Sequence, residues 1–165
     1  MLNHDAKFSK VPDLAAERSN WGSDLPPKWG RGIAINKSSG TIVCEVVEVE
    51  IKPEGPPIVH RVTCVADPGL AIHPNGFTAQ MESGMVYGLT AALYGEINIQ
   101  NGAVKQSNFH DYQMLRIDEI PEVKTYIDNS GELGTPPIGP ALANAIFAAT
   151  GTRIRELPVK NHDLG

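Results

Sequence analysis

Residues 41–65, TIVCEVVEVEIKPEGPPIVHRVTCV, hold two runs rich in valine and isoleucine on either side of a proline- and glycine-bearing connection. In the first run Glu48 and Glu50 fall on one side and Val47, Val49 and Ile51 on the other, the two-residue period of a half-exposed strand. Pro53-Glu54-Gly55-Pro56-Pro57 supplies the reversal, and residues 58–65 return as a second long strand. An antiparallel pair is the simplest reading. Upstream, residues 30–36 read as another strand, followed by a turn at Lys37-Ser38-Ser39-Gly40. Residues 11–19 predict a short helix with Asp13 near its start.

Downstream the period changes. Phe77, Met81, Met85, Leu89 and Leu93 recur every four residues and predict a helix over 76–94, with Asn75 as its N-cap and Gly95 at its end. A different face of that helix carries Gln80, Gly84, Gly88 and Ala91, small enough for another backbone or a flat ligand to come close. Asn101-Gly102, between 96–100 and 103–106, predicts a tight hairpin, and residues 123–127 a further strand. Strands and helices mixed in this order predict an α+β fold: a mixed, largely antiparallel sheet with two main helices, not a parallel βαβ sheet. Residues 1–10 are expected to be disordered or an altered terminus, 11–158 a single α+β domain, and 159–165 a tail.

A chain of 165 residues has room for one core, and 41% hydrophobic content is ordinary for a globular protein. The formal charge of −5 argues against a nucleic-acid partner, and Arg153 with Arg155 is too small a basic spot to change that. No apolar run approaches the roughly 20 residues that span a bilayer. Residues 1–10 are polar and lack a signal-peptide core, which favours a cytoplasmic setting. Cys44 and Cys64 lie within the strand-like runs and read as buried free thiols; two cysteines are too few to hold an iron–sulfur cluster. The five histidines are scattered singly, without zinc-ligand spacing.

The candidate chemistry begins at residues 131–158, GELGTPPIGPALANAIFAATGTRIRELP. Glu132 stands between Gly131 and, after Leu133, Gly134, so the backbone there can bend and approach a ligand. Pro136, Pro137 and Pro140 stiffen the path into an alanine-rich helix over 140–150, which Gly151 is suited to close. A rigid element thus follows an acidic loop, an arrangement that can aim one carboxylate.

This stretch resembles the end of the molybdenum-binding large subunits of the xanthine dehydrogenase and aldehyde oxidase family, above all the beta subunits of isoquinoline 1-oxidoreductase and similar bacterial enzymes. The matching residues are Gly131-Glu132-Leu133-Gly134, Pro136-Pro137 and Ala143-Asn144-Ala145. Further matches are Gln80-Met81-Glu82-Ser83-Gly84, Ala92-Leu93-Tyr94-Gly95-Glu96 and Gln106-Ser107-Asn108-Phe109-His110-Asp111-Tyr112. The likeness runs from about Leu14 to Pro158. It implies oxidative hydroxylation of an aldehyde or N-heterocycle, with oxygen from water. It also implies a molybdenum–pterin cofactor, in the cytosine dinucleotide form in many bacteria, and no sulfur ligand from the protein.

The resemblance puts Glu132 in the position of the catalytic base, with Gly131 beside it. A carboxylate with an ordinary value of about 4.3 is a weak base, and apolar neighbours such as Leu133 and Ile138 would raise it toward neutrality. Gln80 takes a position that in the family hydrogen-bonds the pterin, and Gly84 on the same face allows close approach. His110 beside Asp111 reads as structural, while Phe109 and Tyr112 line a channel or fill the core. Leu133, where the family has proline, and a short approach of Asp128, Asn129 and Ser130 depart from the family pattern.

Such subunits are several times longer than this chain. The chain is therefore expected to be inactive alone and to need the remainder of the subunit and an iron–sulfur subunit. The alternatives are a non-catalytic remnant that self-associates, as a homodimer, or binds another protein, and a small-ligand binding domain.

Overall fold

The computed structural model describes residues 6–38, 40–69, 73–127 and 137–164. Along the chain these form helix α1 (Ala6–Arg18), strands β1 (Trp29–Ser38), β2 (Thr41–Glu50) and β3 (Ile58–Asp67), and helix α2 (Pro74–Leu93). The short strands β4 (Ile99–Gln100) and β5 (Ala103–Val104), strand β6 (Glu122–Ile127), helix α3 (Ile138–Thr150) and a 3-10 turn (Val159–Asn161) follow. The main sheet has the order β1-β2-β3-β6. Its first three strands are antiparallel, as expected of the pair around the proline-rich connection, and β6 joins β3 in parallel. A parallel neighbour needs a crossover connection, and α2 lies in it.

The sheet is covered on both faces. On one, Val11 and Ala15 of α1 pack on Ile42, Cys44, Val46 and Val65. On the other, α2 (Met81, Met85, Leu89) and α3 (Ala141, Leu142, Ala145, Ile146) pack on Val43, Val47, Val62 and Cys64. This corrects the half-exposed reading of β2, which is buried from Thr41 to Val49. The alternation at Glu48 comes from a buried ion pair, not from solvent. Arg31 holds the Glu48 carboxylate at 2.7 Å beside α1, with Arg61 at 3.7 Å.

The alanine-rich character of α3 has a direct cause. A Cβ on Gly32 would lie 2.1 Å from the backbone N of Ala145, and one on Gly30 2.1 Å from its carbonyl O. The helix therefore rests on the bare backbone of β1, and Asn144 Nδ2 donates to the carbonyl of Ile33 at 3.0 Å. Gly151 closes α3 in the left-handed conformation (φ 76°), as its sequence position predicts.

Several boundaries differ from expectation. α1 starts at Ala6, inside the segment expected to be disordered, because Val11 and Ala15 bury against β2 and β3 and the turn before them continues the helix. The N-cap of α2 is His73, whose Nδ1 accepts from the Gly76 N–H at 2.8 Å; Asn75 lies inside the helix. Residues 159–164 are not a loose tail. Val159 is buried among the α2–α3 core residues, and Lys160 reaches Glu96 at 3.4 Å. The Asn101-Gly102 hairpin is present, with positive φ at both residues.

Candidate functional site

Glu132 and Gly131 lie outside the described residues. The chain leaves the sheet after Ile127, at the end of edge strand β6, and re-enters the description at Pro137, just before α3. The predicted cofactor face of α2 meets that point. A Cβ on Gly88 would lie 2.3 Å from Cγ2 of Ile138, so at Gly88 the small-residue face serves close contact with α3. Gly84, half-buried, and Gln80, exposed, follow one and two turns nearer the N-terminus of α2. The span from Gly88 to Gln80 is about 12 Å at 1.5 Å per residue.

The described residues can form one wall of a pterin site. The Gln80 amide is exposed and can both donate and accept, and Gly84 beside it has no side chain to obstruct a ring. The protein offers no thiolate here. Burial pushes Cys44 up to about 12 and Cys64 well above the ordinary thiol range. Among the described residues no three His, Cys, Asp or Glu side chains gather as a ligand set.

The polar and aromatic stretch 107–112 is a structured turn. The Asp111 carboxylate accepts from Ser107 N at 2.8 Å, Asn108 N at 3.0 Å and Ser107 Oγ at 3.1 Å. These bonds hold it down to about 2. His110, itself exposed, comes within 3.7 Å of Asp111. Phe109 fills no core; it is 84% exposed.

One residue was missed. Glu45 lies fully buried on the α2–α3 face of β2, on the Val47 and Val49 side of the strand, and among the described residues only the weakly bonding Cys64 thiol of β3 meets its carboxylate. It pairs in register with Cys64 of β3, which pairs with Thr125 of β6, whose hydroxyl is buried without a partner among the described residues. Burial pushes the Glu45 carboxyl up to about 8. The signal was an acid standing on the apolar side of the β2 alternation.

A molybdopterin cofactor-binding domain model matches residues 4–121. The isoquinoline 1-oxidoreductase subunit beta of Brevundimonas diminuta is 34% identical, over 96% of this chain and 22% of its own length. The membrane-bound aldehyde dehydrogenase [pyrroloquinoline-quinone] of Gluconacetobacter polyoxogenes is 32% identical, over 90% of this chain and 21% of its own. This chain thus spans about a fifth of these relatives.

Among solved structures, the aldehyde oxidoreductase of Desulfovibrio desulfuricans superposes with a TM-score of 0.63, at 23% identity, over 72% of this chain and 14% of that one. The CO dehydrogenase of Oligotropha carboxidovorans gives 0.61 at 20% identity, over 67% and 16%. At these identities the likeness establishes the fold. The match over 4–121 and the 34% identity over 96% of the chain make this chain a member of the molybdopterin cofactor-binding domain family, of the xanthine dehydrogenase and aldehyde oxidase type.

Proposed function

We propose that this chain is the C-terminal portion of a molybdenum hydroxylase subunit that oxidises aldehydes or N-heterocycles, and that it is inactive alone. The observation that carries this is the 34% identity, over 96% of the chain, to a subunit named for isoquinoline oxidation. When bound, the molybdenum–pterin group supplies the two-electron oxidation of a substrate carbon, and water supplies the oxygen. We take the cytosine dinucleotide form as the cofactor. Gln80 orients the pterin edge through its amide, and Gly84 leaves room for it. Glu132 accepts the proton released as oxygen attacks carbon, and Gly131 lets the backbone bring that carboxylate close. An iron–sulfur subunit takes the electrons onward, and the assembly belongs to the cytoplasm.

A second reading, a non-catalytic remnant that self-associates or binds a small ligand or another protein, draws on Leu133 in place of the family's proline and on the exposed apolar side chains between Tyr87 and Ile120. Metal analysis separates the two. The chain, purified alone and together with the remainder of a molybdopterin-binding subunit, is assayed for molybdenum and for its mass in sedimentation. Stoichiometric molybdenum with the remainder, and none without it, is expected. A stable metal-free homodimer that ignores the remainder would sink the enzymatic reading.

A further inference from the structure

We infer that residues 96–120, the excursion between α2 and β6, form a docking arm that grips the rest of a molybdopterin-binding subunit, with Phe109 as its anchor. The excursion stands off the main sheet: among the described residues β4 and β5 pair only with each other. Its backbone is nevertheless fixed. Asp111 ties the turn at 107–111 as described above. Asn98 N donates to Gln106 Oε1 at 2.9 Å, and Gln106 Nε2 donates back to Asn98 Oδ1 at 2.7 Å, bracketing the hairpin. Leu115 N donates to Thr90 Oγ1 of α2 at 3.3 Å, and the hydroxyl of Tyr94, the residue that caps α2, donates to Glu119 at 3.2 Å.

On this fixed backbone the apolar side chains face solvent. Phe109 is 84% and Ile117 91% exposed. Ile97 lines a shallow concavity with Phe109, and Tyr87, Met114 and Ile120 line an open groove of about 550 Å³ against α2. Single exposed apolar residues are ordinary; a run of them on an ordered arm marks an interaction surface. An aromatic on a pre-ordered loop loses little entropy on docking, which is how binding anchors act.

Two observations select the occupant. The arm lies inside the part of the chain that aligns with the Brevundimonas subunit, and that part is 22% of the polypeptide, so most of that subunit lies outside it and is available to cover the arm. The arm also mixes Lys105 and Arg116 with Asp111, Asp118 and Glu119, so it selects neither a polyanion nor a polycation. A polypeptide surface with an aromatic-sized apolar pocket fits it. The inference rests on the reading of the chain as part of a larger subunit, not on the cofactor.

The test uses the full Brevundimonas subunit carrying this chain in place of the segment that it matches, and the 165-residue chain alone. Both are exposed to hydroxyl radicals, and oxidation of Phe109 and Met114 is read by mass spectrometry. Oxidation at least about tenfold slower in the fusion is expected, as for residues at a dry interface centre. Equal rates would overturn the inference, and so would a homodimer of the isolated chain that protects Phe109 by itself. Should the fusion not fold, the unmodified Brevundimonas subunit is footprinted instead, at the residues aligned with Phe109 and Met114, where exposure would be equally damaging. Molybdenum is measured in parallel. Protection without molybdenum leaves docking standing and removes the cofactor reading; molybdenum without protection does the reverse.

Discussion

Replacing Glu45 by glutamine should turn a pH-dependent core into a pH-insensitive one. The side chain is fully buried, and among the described residues only the Cys64 thiol meets its carboxylate, with no cation acting on it. Across the register it meets Cys64, itself held neutral by burial, and Ala34. Met81, Met85 and Leu89 of α2 and Leu142 and Ile146 of α3 are among the apolar side chains packed on this face. Burial therefore lifts its carboxyl from the ordinary 4.5 to about 8. The acid is neutral in the folded chain at pH 7 and ionised in the unfolded one.

The sign follows from proton counting. Below pH 4.5 both states hold the proton and stability is at its fullest for this group. Between 4.5 and about 8 the folded state alone holds it, so each pH unit removes roughly 1.4 kcal/mol. The total loss approaches about 4 kcal/mol by pH 8, on the scale of the whole stability of a small domain. Glu45→Gln keeps the volume and cannot ionise. Near pH 5 the variant should match the parent or fall about 1 kcal/mol below it, since an amide has one more polar hydrogen to leave unsatisfied. By pH 8 it should be the more stable by about 3 kcal/mol. Urea unfolding followed by tryptophan fluorescence, at half-unit steps from pH 5 to 8.5, measures this difference. Parallel curves for parent and variant would refute the account of Glu45.

Two further perturbations probe the layers that frame the site. Arg31→Met should leave the buried Glu48 carboxylate with Arg61 alone at 3.7 Å and lower stability by about 3 kcal/mol, measured by urea unfolding at pH 7. Adding Glu48→Gln to it should recover most of that loss; no recovery would mean that Arg31 acts by packing. Gly32→Ala should force α3 off β1 and lower stability by about 3 kcal/mol, while Gly139→Ala, in open space on α3, should stay within about 1 kcal/mol of the parent. Equal thermal midpoints for the two would contradict the close helix–strand approach.

The sequence pattern located the β2–β3 pair, the Asn101-Gly102 hairpin and the apolar stripe of α2, because each is a local period or a turn chemistry. It misjudged the exposure of β2, because Glu48 satisfies an alternation pattern equally well in water and beside Arg31. It misplaced the N-cap of α2, because a histidine ring nitrogen can accept the Gly76 N–H as Asn75 was expected to. It treated 159–165 as a tail, because one buried valine carries no period. Of the site, Gln80, Gly84 and Glu132 were named through resemblance. The Glu45–Cys64–Thr125 row was not, because only strand register brings those three residues side by side.

One measurement tests directly whether Glu132 acts as the base of a molybdenum hydroxylase. In the Brevundimonas subunit carrying this chain in place of the segment that it matches, assembled with the iron–sulfur subunit proposed above, Glu132→Gln is compared with the unsubstituted fusion for molybdenum content and for turnover of an aldehyde or N-heterocycle. The account predicts unchanged molybdenum and turnover lower by at least about 100-fold, the scale of a lost general base. Turnover within about threefold of the parent at equal molybdenum would contradict it, since even the weakest general-base effect exceeds that.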